Sequence, residues 1–227
     1  MATSRRTAGN REIVYPTSDG RAFDSDLHRD LMADLIQTLR NQFAADPMVH
    51  VTGNLLLYYE EGNKWKRVAP DVFVIRGVPK RLRDYYLLWL EGKAPDIVIE
   101  LTSKKTRSED TKKKMGLYRD VLKIPEYFLF DPYEEYLKPS MQGYRLVEGN
   151  YEPIEPIDGH LPSEVLGLHL VRSGTQLRLV QVIKPGRWLL TPREIFEAER
   201  QRADQAEAEN ARLRLELEEL RRQRNSG

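Results

Sequence analysis

Residues 96–102 read Asp-Ile-Val-Ile-Glu-Leu-Thr, and this segment constrains the chain more than any other. Its β-branched and aliphatic residues favour an extended strand. Side chains alternate across a strand, so Ile97, Ile99 and Leu101 share one face while Asp96, Val98, Glu100 and Thr102 share the other. Glu100 is therefore a carboxylate inside an apolar core element. Such a group is costly unless charged partners or a metal compensate it. The rest of the chain has to bring something to Glu100.

The flanking patterns supply an α/β frame. Leu27, Leu31, Leu35, Leu39 and Phe43 recur every four positions, which predicts an amphipathic helix over 24–43 with one buried stripe. Residues 49–59 read as one strand, Glu61-Gly62-Asn63 as a turn, and 67–75 as a second strand. Residues 79–92 read as a short, aromatic-rich helical insertion. A helix is expected over 106–122, where Thr106 and Glu109 have the spacing of a capping box. Another strand follows at 126–131. Beyond Pro132, short strands with frequent Gly and Pro run to about Leu190 and read as the remaining sheet and edge hairpins of the same domain. The order helix, strands, helix, strand implies an α/β fold with a mixed sheet.

Composition narrows the setting. A chain of 227 residues suits one domain plus an appendage, and 40% hydrophobic residues are enough for a core. The absence of cysteine excludes a disulfide scaffold and a thiolate zinc site, and fits a cytoplasmic location. Residues 1–10 are small and polar, are expected to be disordered, and contain no apolar signal core. The longest apolar run, 85–90, is far too short to span a bilayer, so no membrane partner is expected. A net charge of +1 leaves local clustering as the only electrostatic pointer to nucleic acid. Lys104, Lys105, Arg107, Lys112, Lys113 and Arg119 form that cluster. A solvated helix face explains it equally well unless a metal site lies beside it. Trp65, Trp89, Tyr85 and Tyr86 read as core or interface residues.

Asp71 follows Pro70 in a second strand-like segment. Two carboxylates, with water and substrate phosphate, are what magnesium usually takes. Asp110, Lys114 and Tyr118 are spaced by four and share one helix face, from which Lys114 could reach such a site. Asp110 by itself reads as a charge favouring the helix N-terminus. His28 borders an apolar helix stripe, where a histidine is commonly just packed and hydrogen-bonded.

Taken in order, Pro70-Asp71, Glu100-Leu-Thr-Ser103, the triplet Asp110, Lys114 and Tyr118, Pro125-Glu-Tyr127 and Asp131-Pro132 resemble the Uma-type restriction endonuclease family of the PD-(D/E)XK nuclease superfamily. The resemblance runs over roughly residues 15–180. It implies a restriction-endonuclease-like mixed β-sheet core flanked by helices, occupying 11–190, and a metal-dependent endonuclease that hydrolyses DNA. It also implies that Asp71 and Glu100 bind Mg²⁺ or Mn²⁺ with the backbone carbonyl of Leu101. His28 would be an accessory metal-binding or substrate-contacting residue. Where the superfamily pattern carries its catalytic lysine, this chain has Thr102, and the resemblance moves that role to Lys114, with Lys112 and Lys113 as alternatives. DNA backbone contacts would fall to Lys104, Lys105, Arg107, Lys112 and Lys113. The alternative is a catalytically silent nuclease fold used for nucleic-acid binding or oligomerisation.

Thr191-Pro192-Arg193-Glu194 is a helix start, and no Pro or Gly interrupts the chain from there to Arg224. Ala203, Asn210 and Leu217 fall at a positions, and Ala206, Leu213 and Leu220 at d positions. The pairs that would face each other in a parallel dimer, Arg202 with Glu207, Glu209 with Arg214, and Glu216 with Arg221, are all opposite in sign. Residues 191–227 are thus expected to form a C-terminal coiled-coil helix that supports a homodimer together with the globular part.

Overall fold

The structure is a computed structural model that describes residues 6–8, 11–16, 25–182 and 186–225. Of the N-terminal stretch expected to be disordered, residues 1–5 and 9–10 lie outside the described set, while Arg6–Ala8 pairs antiparallel with Arg11–Ile13. The chain divides into two compact units, Met1–Leu189 and Leu190–Gly227.

The first unit is built on a six-stranded mixed sheet. Its strands lie in the order Asn150–Pro153, Met141–Val147, Glu126–Phe130, Ile97–Leu101, Val72–Arg76 and Val49–Thr52. All neighbours are antiparallel except Ile97–Leu101 and Glu126–Phe130, which run parallel. A parallel pair needs a crossover connection, and the helix over 107–121 provides it.

The two faces of the central strand separate as alternation predicts. Ile97, Ile99 and Leu101 join Leu31, Leu35 and Leu39 of the helix Asp26–Gln42 and Leu168, Leu170, Leu177 and Leu179 of a second, three-stranded sheet. Val98 joins the opposite cluster with Phe73, Ile75, Tyr118, Tyr127 and Leu129. The helix Asp26–Gln42 starts at Ser25, whose side chain accepts a hydrogen bond from the His28 N–H at 3.1 Å. This N-cap fixes where His28 sits.

The capping interaction of the crossover helix lies three residues before the expected box. Ser103 Oγ accepts from the N–H groups of Lys105 and Thr106, and Thr106 Oγ1 accepts from Ser103 N–H at 3.0 Å. The helix is then widened to π geometry over Glu109–Lys114 and Leu117–Val121, with i→i+5 bonds such as Leu122 N–H to the Leu117 carbonyl at 3.0 Å. In an α-helix each four-residue step overshoots a full turn by about 40°. Wider turns shorten each four-residue step, and Asp110, Lys114 and Tyr118 all reach the same cluster.

Three expected elements are interrupted. The strand anticipated over 49–59 is two strands in different sheets, Val49–Thr52 and Leu57–Tyr58, and that over 67–75 is likewise divided into Arg67–Val68 and Val72–Arg76. The insertion at 79–92 is helical only at Leu88–Glu91, because Tyr86–Leu87 pairs parallel with Leu57–Tyr58. In the second unit the helix runs Pro192–Asn225, opened by the Thr191–Glu194 capping box, with no residue buried. Among the described residues no helix is long and apolar enough to cross a membrane.

Both strand breaks meet at Gly53 and Asp71. Asn54 N–H donates to the Pro70 carbonyl at 2.8 Å, and Asn54 adopts a left-handed φ of 47°. A Cβ placed on Gly53 would lie 1.9 Å from the Asp71 carbonyl oxygen and 2.7 Å from Ile36 Cδ1. Backbone cannot yield as a flexible side chain can. Gly53→Ala is therefore expected to cost about 3 kcal/mol, whereas Gly92→Ala, with open space around its Cβ, should cost only the left-handed backbone preference of about 1–2 kcal/mol. Denaturant unfolding of both variants checks this. A Gly53→Ala protein as stable as wild type would mean that the close approach does not exist.

Candidate active site

Val72 pairs with Ile99, and the same register carried one place further sets Asp71 opposite Glu100. The two carboxylates are thus cross-strand neighbours at one end of the sheet. Asp71 N–H donates to Glu100 Oε2 at 3.3 Å, and Leu101 N–H donates to Asp71 Oδ2 at 2.8 Å. In an extended strand the N–H and C=O of one residue point the same way. The Leu101 carbonyl therefore also faces the Asp71 side.

The crossover helix closes the cluster. Lys114 Nζ lies 2.8 Å from Glu100 Oε2, and Tyr118 donates its hydroxyl proton to Glu100 Oε1 at 2.6 Å. Lys114 Nζ also lies 3.1 Å from Asp110 Oδ1, an ion pair by distance without hydrogen-bond geometry. Lys112 and Lys113 are exposed on the same helix, so only the third lysine turns inward. Lys104, Lys105 and Arg107 are exposed as well. From the opposite side of the sheet, His28 Nε2 lies 3.2 Å from Asp71 Oδ2. This contact makes His28 a direct partner of the Asp71 carboxylate, with the proton on either group according to the ring tautomer.

Three carboxyl groups, Asp71, Glu100 and Asp110, share one lysine. Glu100 is fully buried, and desolvation pushes its pKa well above the ordinary carboxylate value against the pull of Lys114; Asp71 and Asp110 push it further. Asp110 is also raised, by burial first. Burial alone would raise Asp71, but the His28 hydrogen bond, the Lys114 charge and the Leu101 N–H together hold it below its usual value. Burial would lower Lys114, but Glu100, Asp110 and Asp71 outweigh it and raise its pKa, so Lys114 stays protonated.

Among the described residues no group of three or more His, Asp or Glu side chains is arranged to hold a metal ion. The donors that do fit are two carboxylates and one carbonyl, all hard oxygens of the kind magnesium takes with water and phosphate. Ionising Glu100 would add a negative charge beside Asp71 and Asp110, and a divalent cation held there would offset it. Asp110 is the site residue that sequence reasoning undervalued. It is buried and paired with Lys114, and its four-residue spacing from Lys114 was the available signal.

A family model described as Uma2, "Putative restriction endonuclease", matches residues 6–181. Among solved structures, the crystal structure of "a putative nuclease belonging to DUF820" from Anabaena variabilis ATCC 29413 aligns with a TM-score of 0.49 and 16% identity, covering 74% of this chain and 87% of that one. No curated protein matches the chain.

The raised carboxylates carry a stability consequence. Above the ordinary carboxylate range and up to its folded pKa, Glu100 holds a proton in the native state that the unfolded chain has lost, so its contribution falls as pH rises. Asp71 contributes the reverse, stability present at higher pH and lost as acid reaches its depressed folded pKa. His50, lowered by burial from 6.5 to about 4, adds stability with rising pH across that interval. The difference between Glu100→Gln and wild type isolates the site. In chelator, the melting temperature of Glu100→Gln should exceed that of wild type by a margin that grows as the pH rises above the ordinary carboxylate range toward the raised folded pKa of Glu100. A margin independent of pH would mean that Glu100 ionises as freely as an exposed carboxylate.

Proposed function

The chain belongs to the Uma2 restriction-endonuclease family, and from that premise and the geometry of its buried cluster we propose a divalent-cation-dependent endonuclease that hydrolyses DNA phosphodiester bonds. The observation that carries the reading is the meeting of Asp71 and Glu100 across two strands with Lys114 on Glu100. Asp71, Glu100 and the Leu101 carbonyl would hold Mg²⁺ or Mn²⁺. Such an ion activates water for in-line attack and offsets charge on the phosphate.

The chain's own groups divide the remaining work. Lys114, held protonated, supplies positive charge at the scissile phosphate or positions the attacking water, and does not abstract a proton. Asp110 and Tyr118 fix the two partners of that contact, Asp110 against Lys114 and Tyr118 against Glu100. His28 orients the Asp71 carboxylate. The exposed Lys104, Lys105, Arg107, Lys112 and Lys113 suit contact with the DNA backbone.

One observation favours a silent fold used for binding. Both Glu100 oxygens and Asp71 Oδ2 already have protein partners. Metal-titrated cleavage of mixed DNA substrates separates the two readings. Mg²⁺ or Mn²⁺ should stabilise the wild-type fold, by about 2.7 kcal/mol at a hundredfold excess over Kd, and Glu100→Ala should abolish the gain. Lys114→Ala should keep that metal response yet cut the cleavage rate by about 10²–10³-fold. No cleavage and no metal shift in wild type would leave only the binding role.

The C-terminal helix supports the further proposal of a parallel two-stranded coiled coil that pairs two copies. Leu213, Leu217 and Leu220 are left exposed along the expected seam, and Phe196, also exposed, falls one heptad before Ala203. The complementary charges at 202/207, 209/214 and 216/221 favour a second copy of the same helix over another partner. Three heptads with two alanines are weak, so contacts from the globular unit would have to raise the effective concentration. Sedimentation of the full chain should show a dimer. Replacing Glu209 and Glu216 with Lys should shift it toward monomer, most at low salt. A full-length monomer at tens of micromolar would reject the assembly.

A further inference from the structure

A pocket of about 180 Å³ opens beside the ion-pair cluster and shares a wall with it. The shared wall is His28, which lines the pocket while its Nε2 faces Asp71. Leu27, Pro132, Tyr133 and Tyr136 make the lining largely apolar and aromatic. Lys104 and Lys105 also border it. Thr102, 2% exposed, lines it too, and Thr102 Oγ1 has no hydrogen-bond partner among the described residues.

The tyrosine wall is held in place. Asp131 Oδ1 accepts from Tyr133 N–H at 3.0 Å, and Asp131 Oδ2 accepts from the N–H groups of Tyr136 and Leu137. Arg172 donates to the carbonyls of Asp131 and Pro132. The turn that presents both aromatic residues is therefore set before any ligand arrives.

We propose that this pocket receives one nucleobase of single-stranded or locally opened DNA, next to the phosphate to be cut. The proposal rests on the endonuclease reading above and adds the substrate class: an unpaired nucleotide instead of intact duplex. The volume falls below the range of drug-sized sites, which run from about 300 Å³. Aromatic walls stack on the face of any base. A bare anion would gain little from such walls. Thr102 Oγ1 can donate and accept, so a base edge would relieve its burial without demanding one sequence. Lys104 and Lys105 meet the phosphate on the same nucleotide. A base inside the stack cannot enter a pocket, so it must be unpaired or swung out. On this account Thr102 stands where the superfamily pattern carries a lysine because the position serves the base rather than the phosphate.

The test uses the full chain in chelator, so that no strand is cut. Fluorescence anisotropy measures binding of a short labelled single strand and of a series in which one abasic position moves along it. Removing the base at one position should weaken binding roughly tenfold, with smaller effects elsewhere. That position-specific loss should disappear in Tyr133→Ala and in Thr102→Val. Tyr133 is 52% exposed and Val preserves the volume of Thr, so both variants should fold. A uniform response along the abasic series, an unchanged loss in both variants, or no binding of the strand overturns the proposal. Base-dependent binding by a protein that never cleaves with Mg²⁺ would sustain the pocket and end the endonuclease reading. Cleavage without position-specific loss would do the reverse.

Discussion

A fully buried glutamate at the end of a central strand is the constraint that organises this protein. Glu100 has no water to solvate it, so each of its oxygens needs a donor from the protein. Tyr118 and Lys114 supply them from the crossover helix, and the Asp71 backbone adds a third from the neighbouring strand. Topology makes this possible. The strand that carries the carboxylate is one of the two parallel strands, so a crossover must start just past Glu100, and that crossover delivers the lysine.

The arrangement is not what stability alone would select. Apolar residues of similar size in place of a buried ion pair often leave a protein as stable or more so. Here three carboxyl groups surround one ammonium, and two of them are held with raised pKa values. Buried carboxyl groups with shifted pKa values around a single lysine are the kind of arrangement that marks a candidate functional site. The Leu101 N–H bond and the His28 ring contact to Asp71 show how such a cluster is kept in shape: backbone and ring partners fix the carboxylate's orientation.

Much of this was legible in the sequence, in proportion to how local each signal is. Alternation along 96–102 correctly separated Ile97, Ile99 and Leu101 from Val98 and isolated Glu100. Four-residue spacing found the helix face that meets it. The break of 49–59 was signalled by Gly53-Asn54 inside an apolar run, but its cause, the approach of Asp71, is a contact between distant segments that no local pattern encodes. The same holds for His28 and Asp71, which are 43 residues apart. Asp110 reads as a helix-end charge because acidic residues in a first turn are ordinary; its burial against Lys114 depends on how the helix seats on the sheet.

The widened helix has a further consequence for anyone who would redesign this protein. Local hydrogen bonding favours the tight α turn, so the π segments at Glu109–Lys114 and Leu117–Val121 must be held open by tertiary contacts at Tyr118 and Tyr127. Gly116, a weak helix former, lies between the two segments and keeps the local preference low. Substitutions chosen to raise helical propensity on the exposed side would strengthen the competing α form. The segment's turns are closed by i→i+5 bonds in place of i→i+4 bonds, and the contacts around it favour that wider form. Thermostabilisation by consensus helix-building would favour the α form at the expense of the bonds that Tyr118 and Tyr127 make across this segment.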